Sequence, residues 1–151
     1  MQIAWRPQMA VDHGLIDRDH WTLLQIISEF SSIEGELPGA QVLAEILQKL
    51  DRYTQVHFER EQWLQKTIRY PFAEAHEHEH RDLIRRLDAM RAKFKPEASR
   101  EEIVAIHREV SALLNSWLLD HILQSDLRMR PFAAAIRKGT TGFADLASAA
   151  G

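Results

Sequence analysis

The sequence predicts an all-α protein: an up-down-up-down antiparallel four-helix bundle with an N-terminal arm and a short C-terminal helix and tail. Three observations carry this. Apolar residues recur at three- and four-residue spacing through four long stretches, the period of helices buried on one face. Gly and Pro are few, six and five in 151 residues, and the breaks between stretches fall at Gly35, Pro38 and Gly39, at Pro71 and at Pro96. No stretch alternates apolar and polar residues as a half-buried strand would, and there is no internal repeat. The links are short, which makes sequential helices antiparallel neighbours.

The elements follow in order, within a single domain expected to span residues 1–151. An arm covers residues 1–16, with Trp5 placed to pin it to the bundle. The first helix, about 17–35, aligns Ile16, His20, Leu23, Leu24, Ile27 and Phe30. The second, about 39–67, is read with Val42, Ile46, Leu50, His57, Glu61 and Leu64 on its inward face, and its length is roughly 42 Å at 1.5 Å per residue. The third, about 72–94, follows Pro71, a residue suited to a first helical turn, and carries Phe72, His76, His80, Leu83, Leu87 and Met90. The fourth, about 99–122, opens with Ser99 and Glu102 at capping-box spacing. It continues through Ile103, Ile106, Val110, Leu113, Leu114, Trp117 and His121. A short helix and a small, polar tail fill about 126–151.

Composition removes several function classes. The net charge is −3 from 19 basic and 22 acidic side chains, and no basic stripe runs along the chain, so nucleic acid is not an expected partner. There is no cysteine, which excludes disulfides, thiolate metal sites and cysteine nucleophiles. No apolar run approaches the ~20 residues needed to span a bilayer. The opening residues lack a basic head followed by an apolar core, so a cytoplasmic protein is expected.

What points to function is the placing of histidines and carboxylates. His20 stands alone, Glu61 follows His57 by four residues, His80 follows His76 by four, and Asp126 follows His121 by five. Residues four apart share a helix face, and each group is in register with an apolar stripe. Five imidazoles and two carboxylates would therefore meet inside the bundle. A buried ionised carboxylate needs a compensating charge, and this donor set suits a pair of first-row transition metals better than one. The five-residue step is different. It turns a straight helix through about 140°, so His121 and Asp126 share a centre only if the fourth helix ends, bends or bulges between them. Of the other histidines, His78 faces away from His76 and His80, while His13 and His107 are expected at the surface.

Two rival patterns sit in the same sequence. His76-Glu77-x-x-His80 matches the H-E-x-x-H of zinc metalloproteases, but this leaves the other five residues unexplained and lacks a strand pattern. A carboxylate-rich di-iron oxidase site needs two Glu-x-x-His pairs. Glu77 and His80 supply one, and Asp17 with His20 gives only a weak second.

The arrangement resembles the hemerythrins, particularly the bacterial ones, from Trp5 to Phe132. The likeness rests on Ile16-Asp17 ahead of His20, His57-Phe58-x-x-Glu61, Tyr70-Pro71 before His76 and Glu79-His80, Trp117-Leu118-x-x-His121-Ile122-Leu123-x-x-Asp126, and Pro131-Phe132. The resemblance implies a non-haem di-iron site, with one iron on His76, His80 and His121. The other would be on His20 and His57 with an open position, and Glu61, Asp126 and an oxo or hydroxo group would bridge the pair. It implies reversible binding of O2 or another small diatomic ligand, for carriage, storage, delivery or sensing, with Leu123 lining the ligand pocket and no enzymatic turnover. The alternative on the same site is an enzyme handling peroxide or nitric oxide. The chain departs from the family pattern at Asp19, commonly Gln, at Gln65, commonly Met, and in the arm, which reads Val11-Asp12-His13-Gly14. None of these is in the implied ligand set.

Overall fold

The computed structural model describes residues 4–33 and 36–138. It is an all-α bundle, and no strand occurs among the described residues. Four long helices, α1 (Leu15–Ser31), α2 (Ala40–Thr67), α3 (Ala73–Arg91) and α4 (Arg100–Asp120), are followed by a short α5 (Arg130–Lys138). The polar tail after residue 138 and Gly35 of the first break lie outside the described residues.

One long apolar core runs along the bundle. Leu23, Leu24, Ile27 and Phe30 of α1 pack with Leu43, Leu47 and Leu50 of α2, Leu87 and Met90 of α3, and Ile103, Val110 and Leu114 of α4. Each such side chain contributes ~1.5–3 kcal/mol when fully buried. Trp5 and Trp117 pack against its edge. A smaller cluster of Val11, Ile16, Leu64, Ile68, Tyr70 and Met129 closes the other end. The arm is held there by Arg130 of α5, whose guanidinium donates to the carbonyls of Ala10 and Gln8. Asp12 accepts the amides of Gly14, Ile16 and Asp17 and so starts α1, while Asp17 returns the favour to Val11 and His13.

The stripes of α1 and α4 face inward as the sequence predicts, and Ser99 caps α4 with Glu102 through reciprocal bonds of 3.2 and 2.7 Å. Three expectations are corrected. The buried face of α2 begins with Leu43 and Leu47, whereas Val42 is 46% exposed. Stepping back by fours from Leu50 drifts about 80° by Val42, and the alternating four-three spacing 43, 47, 50, 54, 57, 61, 64 keeps the stripe straight. Phe72 is exposed, and it caps α3, which starts at Ala73, so Pro71 lies in the preceding turn. His107 is buried, with Nε2 2.7 Å from the Phe30 carbonyl. That carbonyl is in the last turn of α1 and has no partner within its own helix, so an inward imidazole satisfies it.

Candidate metal centre

The site end of the bundle gathers the first half of α1 (His20), the second half of α2 (His57, Glu61), the first half of α3 (His76, His80) and the residues after α4 (His121, Asp126). The helix following α4 does what the five-residue step demands. Residues His121–Ser125 form a π turn in which the Asp126 amide donates to the His121 carbonyl, and a 3-10 turn, Asp126–Met129, follows. The extra residue carries Asp126 back onto the inward face beside His121.

All seven side chains are buried; Glu61, His20 and Asp126 are 0% exposed. The contacts are short and converge. Glu61 Oε1 lies 3.4 Å from His20 Nε2 and 3.1 Å from His57 Nε2, while Glu61 Oε2 lies 3.5 Å from His76 Nε2 and 2.9 Å from His80 Nε2. Asp126 divides in the same way. Its Oδ2 is 2.9 Å from His20 Nε2, and its Oδ1 is 2.9 Å from His76 Nε2 and 3.1 Å from His121 Nε2. His80 Nε2 and His121 Nε2 face one another at 3.1 Å. Two overlapping groups result, each able to hold a metal ion: Glu61, His76, His80, His121 and Asp126 in one, and His20, His57, Glu61 and Asp126 in the other.

Despite these approaches, both oxygens of Glu61 and of Asp126, both ring nitrogens of His20, His76 Nε2 and His80 Nδ1 have no hydrogen-bond partner among the described residues. One ligand atom from each residue of a group lies within 4.8 Å of the others. Ligands ~2.1 Å from one ion and at right angles sit about 3.0 Å apart, which is the spacing seen between most of these nitrogens and oxygens. The donor set fits first-row metal ions.

The electrostatics say the same. Burial would raise both carboxyls, yet the surrounding imidazoles hold Glu61 and Asp126 well below the usual carboxylate range. Burial opposes charge on His20 and His76, but Asp126 and Glu61 overcome it and push both up to about 10. Against the same burial, Glu61 and Asp19 raise His57, and Asp126 and Glu61 raise His121; of the five only His80 is lowered, by burial and by its neighbours His76 and His121. Two buried anions here draw in positive charge, and without a metal only protons can supply it.

Residues 12–133 match the sequence model of the hemerythrin HHE cation binding domain. The chain belongs to the hemerythrin family. Its similar relatives include a bacteriohemerythrin of Stenotrophomonas maltophilia, 26% identical over 124 residues, and one of Pseudomonas aeruginosa, 27% identical over 124 residues. Both alignments cover 82% of this chain and 76% of the relative. No solved structure gives a significant match. Hemerythrin membership and the histidine–carboxylate cluster together support a non-haem iron-binding protein.

The carboxylates of the rival motifs, Glu77 and Asp17, are absent from both metal groups of this hemerythrin. Glu77 pairs with Arg81 at 2.6 Å on the surface, and Asp17 is engaged by the arm amides. His78 and His13 are exposed. Leu123 is 38% exposed, two residues beyond the inward-facing His121. The rings that do press on the site are Phe58, stacked on His80 with centroids 3.5 Å apart at 5°, and Tyr70, edge-on to His76. Sequence reasoning also missed Asp19, which is fully buried behind His57. Its spacing with Ile16, Leu23 and Ile26 marks it as inward, but its contacts lie 34 to 41 residues away and leave no local signal.

Proposed function

We propose that this hemerythrin is a non-haem di-iron protein that binds O2 reversibly, as a carrier, store, delivery protein or sensor, and is not an enzyme. The observation that carries the reading is the division of the two carboxylates. Each turns one oxygen to the two-histidine group and the other to the three-histidine group. A single metal would not need that division, and a bridged pair would. Two irons on this set supply, when bound, the two electrons that reversible O2 binding requires. His76, His80 and His121 would hold one iron and His20 with His57 the other, the fewer histidines leaving the second with room for a small ligand.

The rest of the work belongs to the chain. Burial of every ligand candidate keeps bulk water away, and Phe58, flat against His80, blocks rotation of that ring. Phe58, stacked on His80, carries no acidic proton, which favours release of the ligand unchanged over its reduction. Among the described residues no helix is long and apolar enough to cross a membrane, and we place the protein in the cytoplasm with a small diatomic molecule, not nucleic acid, as its partner.

Metal analysis with visible spectra tests this. Two irons per chain and a colour that comes and goes with O2 are expected. One zinc per chain would restore the protease reading, and irreversible bleaching or consumption of peroxide or nitric oxide would make the protein an enzyme.

A further inference from the structure

Asp19 stands behind His57. Its carboxylate is 0% exposed and accepts three donors. Oδ2 faces His57 Nδ1 at 3.1 Å, and Oδ1 takes the Tyr53 hydroxyl at 3.1 Å and Arg60 Nη1 at 2.5 Å. An ionised carboxylate only accepts, so the ring proton of His57 is on Nδ1 and the lone pair of Nε2 is turned to the metal cluster. His20, the other imidazole of that group, has no hydrogen-bond partner on Nδ1 among the described residues. In the three-histidine group a carboxylate also stands behind His121, with Glu79 3.2 Å from Nδ1, but Glu79 is 44% exposed and shares its oxygen with Ser125. Solvent screens Glu79. Asp19 is screened only by Arg60 and Tyr53.

We propose that Asp19 is a positioning residue that fixes the tautomer of His57 and makes it the stronger electron donor of the two-histidine end, with Arg60 setting how strong. The inference rests on the di-iron reading above. A carboxylate behind a ligating histidine locks ring orientation and raises ligand basicity. A more basic ligand stabilises the oxidised metal and lowers its reduction potential. The guanidinium of Arg60 withdraws part of Asp19's charge, so the two residues act with opposite sign on the same ring.

The test compares Asp19→Asn, Asp19→Leu and Arg60→Gln. Asp19→Asn keeps an oxygen acceptor and loses the charge, Asp19→Leu loses both, and Arg60→Gln leaves the charge less neutralised. The readouts are metal affinity, midpoint potential of the iron-loaded chain, and the Nδ1 proton resonance of His57 in zinc-loaded protein. Asp19→Leu is expected to lose that resonance and ~10–100-fold in metal affinity. Asp19→Asn should keep the resonance and move the potential positive, and Arg60→Gln should move it negative. Loss of packing alone would not produce opposite signs. Should Asp19→Leu fail to fold, the other two variants carry the test. An unchanged potential in both, with two irons bound, overturns the proposal, as does a wild-type affinity and resonance in Asp19→Leu. If the wild-type chain does not take two irons, the di-iron reading fails separately, and the zinc-loaded resonance and affinity still decide the role of Asp19.

Discussion

The long apolar core of this bundle and the metal-binding layer at its other end, which shares that end with the small cluster around Ile16, Leu64 and Met129, are held by opposite means. Around Phe30, Leu43, Leu47, Val110 and Leu114 the helices meet carbon on carbon, each of these side chains at 0% exposure. At the other end they meet through five imidazoles and two carboxylates that are buried almost as deeply. Apart from Ser111 Oγ, every buried side-chain polar atom found without a hydrogen-bond partner belongs to that second end. Carbon packing is complete in itself, since its stabilisation comes from area removed from water. A cluster of unpartnered polar atoms is not, since burying an unpaired ion costs several kcal/mol. The apolar end thus holds the helices in place, and the polar end spends some of that stability to keep ligands converged before any metal arrives.

The largest expected effect separates the two ends. Glu61 belongs to both metal groups, so Glu61→Ala should leave the chain folded but reduce bound iron from the proposed two per chain to well below one, read by metal analysis beside circular dichroism. Phe30→Ala should do the reverse: a loss of ~3–5 kcal/mol in denaturant unfolding with full metal content. If Phe30→Ala instead empties the site, the ends are not independent. Metal loading comes next. A ligand that binds only the folded chain at 1,000 times its dissociation constant stabilises by about 4.1 kcal/mol, so metal-loaded and metal-free melting curves should differ by an increment of that order, the same in wild type and in Phe30→Ala.

How much of this was legible in the sequence differs between the ends in the same way. The pairs His57–Glu61 and His76–His80 could be read because four-residue spacing on a helix is a local fact. The π turn could be read as a necessity, because no straight helix brings residues five apart onto one face. Val42 was misplaced because a small angular error per step accumulates over two turns. The inward placing of His107 and Asp19 was legible in the four-three spacing 103, 107, 110, 114 and 16, 19, 23, 26, but their partners were not, since these lie far away in the chain: the Phe30 carbonyl for one, and Tyr53, His57 and Arg60 for the other.

Proton competition sharpens the contrast further. In the metal-free chain Asp126 and Glu61 hold His20 and His76 at about 10, so at neutral pH both rings carry protons that an incoming metal must expel. Uptake should release protons, and apparent affinity should rise from pH 6 towards 9, measured by calorimetry in buffers of different ionisation enthalpy. Equal heats in all buffers would mean that the rings are already neutral and that the polar end is less charged than its geometry indicates.

The smallest effect is the cleanest check on independence. Ser99 caps α4 at the end remote from the metal cluster, receiving the Glu102 amide while Glu102 receives its own. Removing such a cap costs typically ~1 kcal/mol, and sites with no shared partner add. Ser99→Ala should therefore lower stability by the same ~1 kcal/mol in the metal-free and metal-loaded chain, with unchanged metal affinity. A cost that differs between the two states would mean that α4 transmits its fraying down to the π turn at His121. The carbon end and the polar end would then be one cooperative unit, joined through the single helix that ends in the bulge.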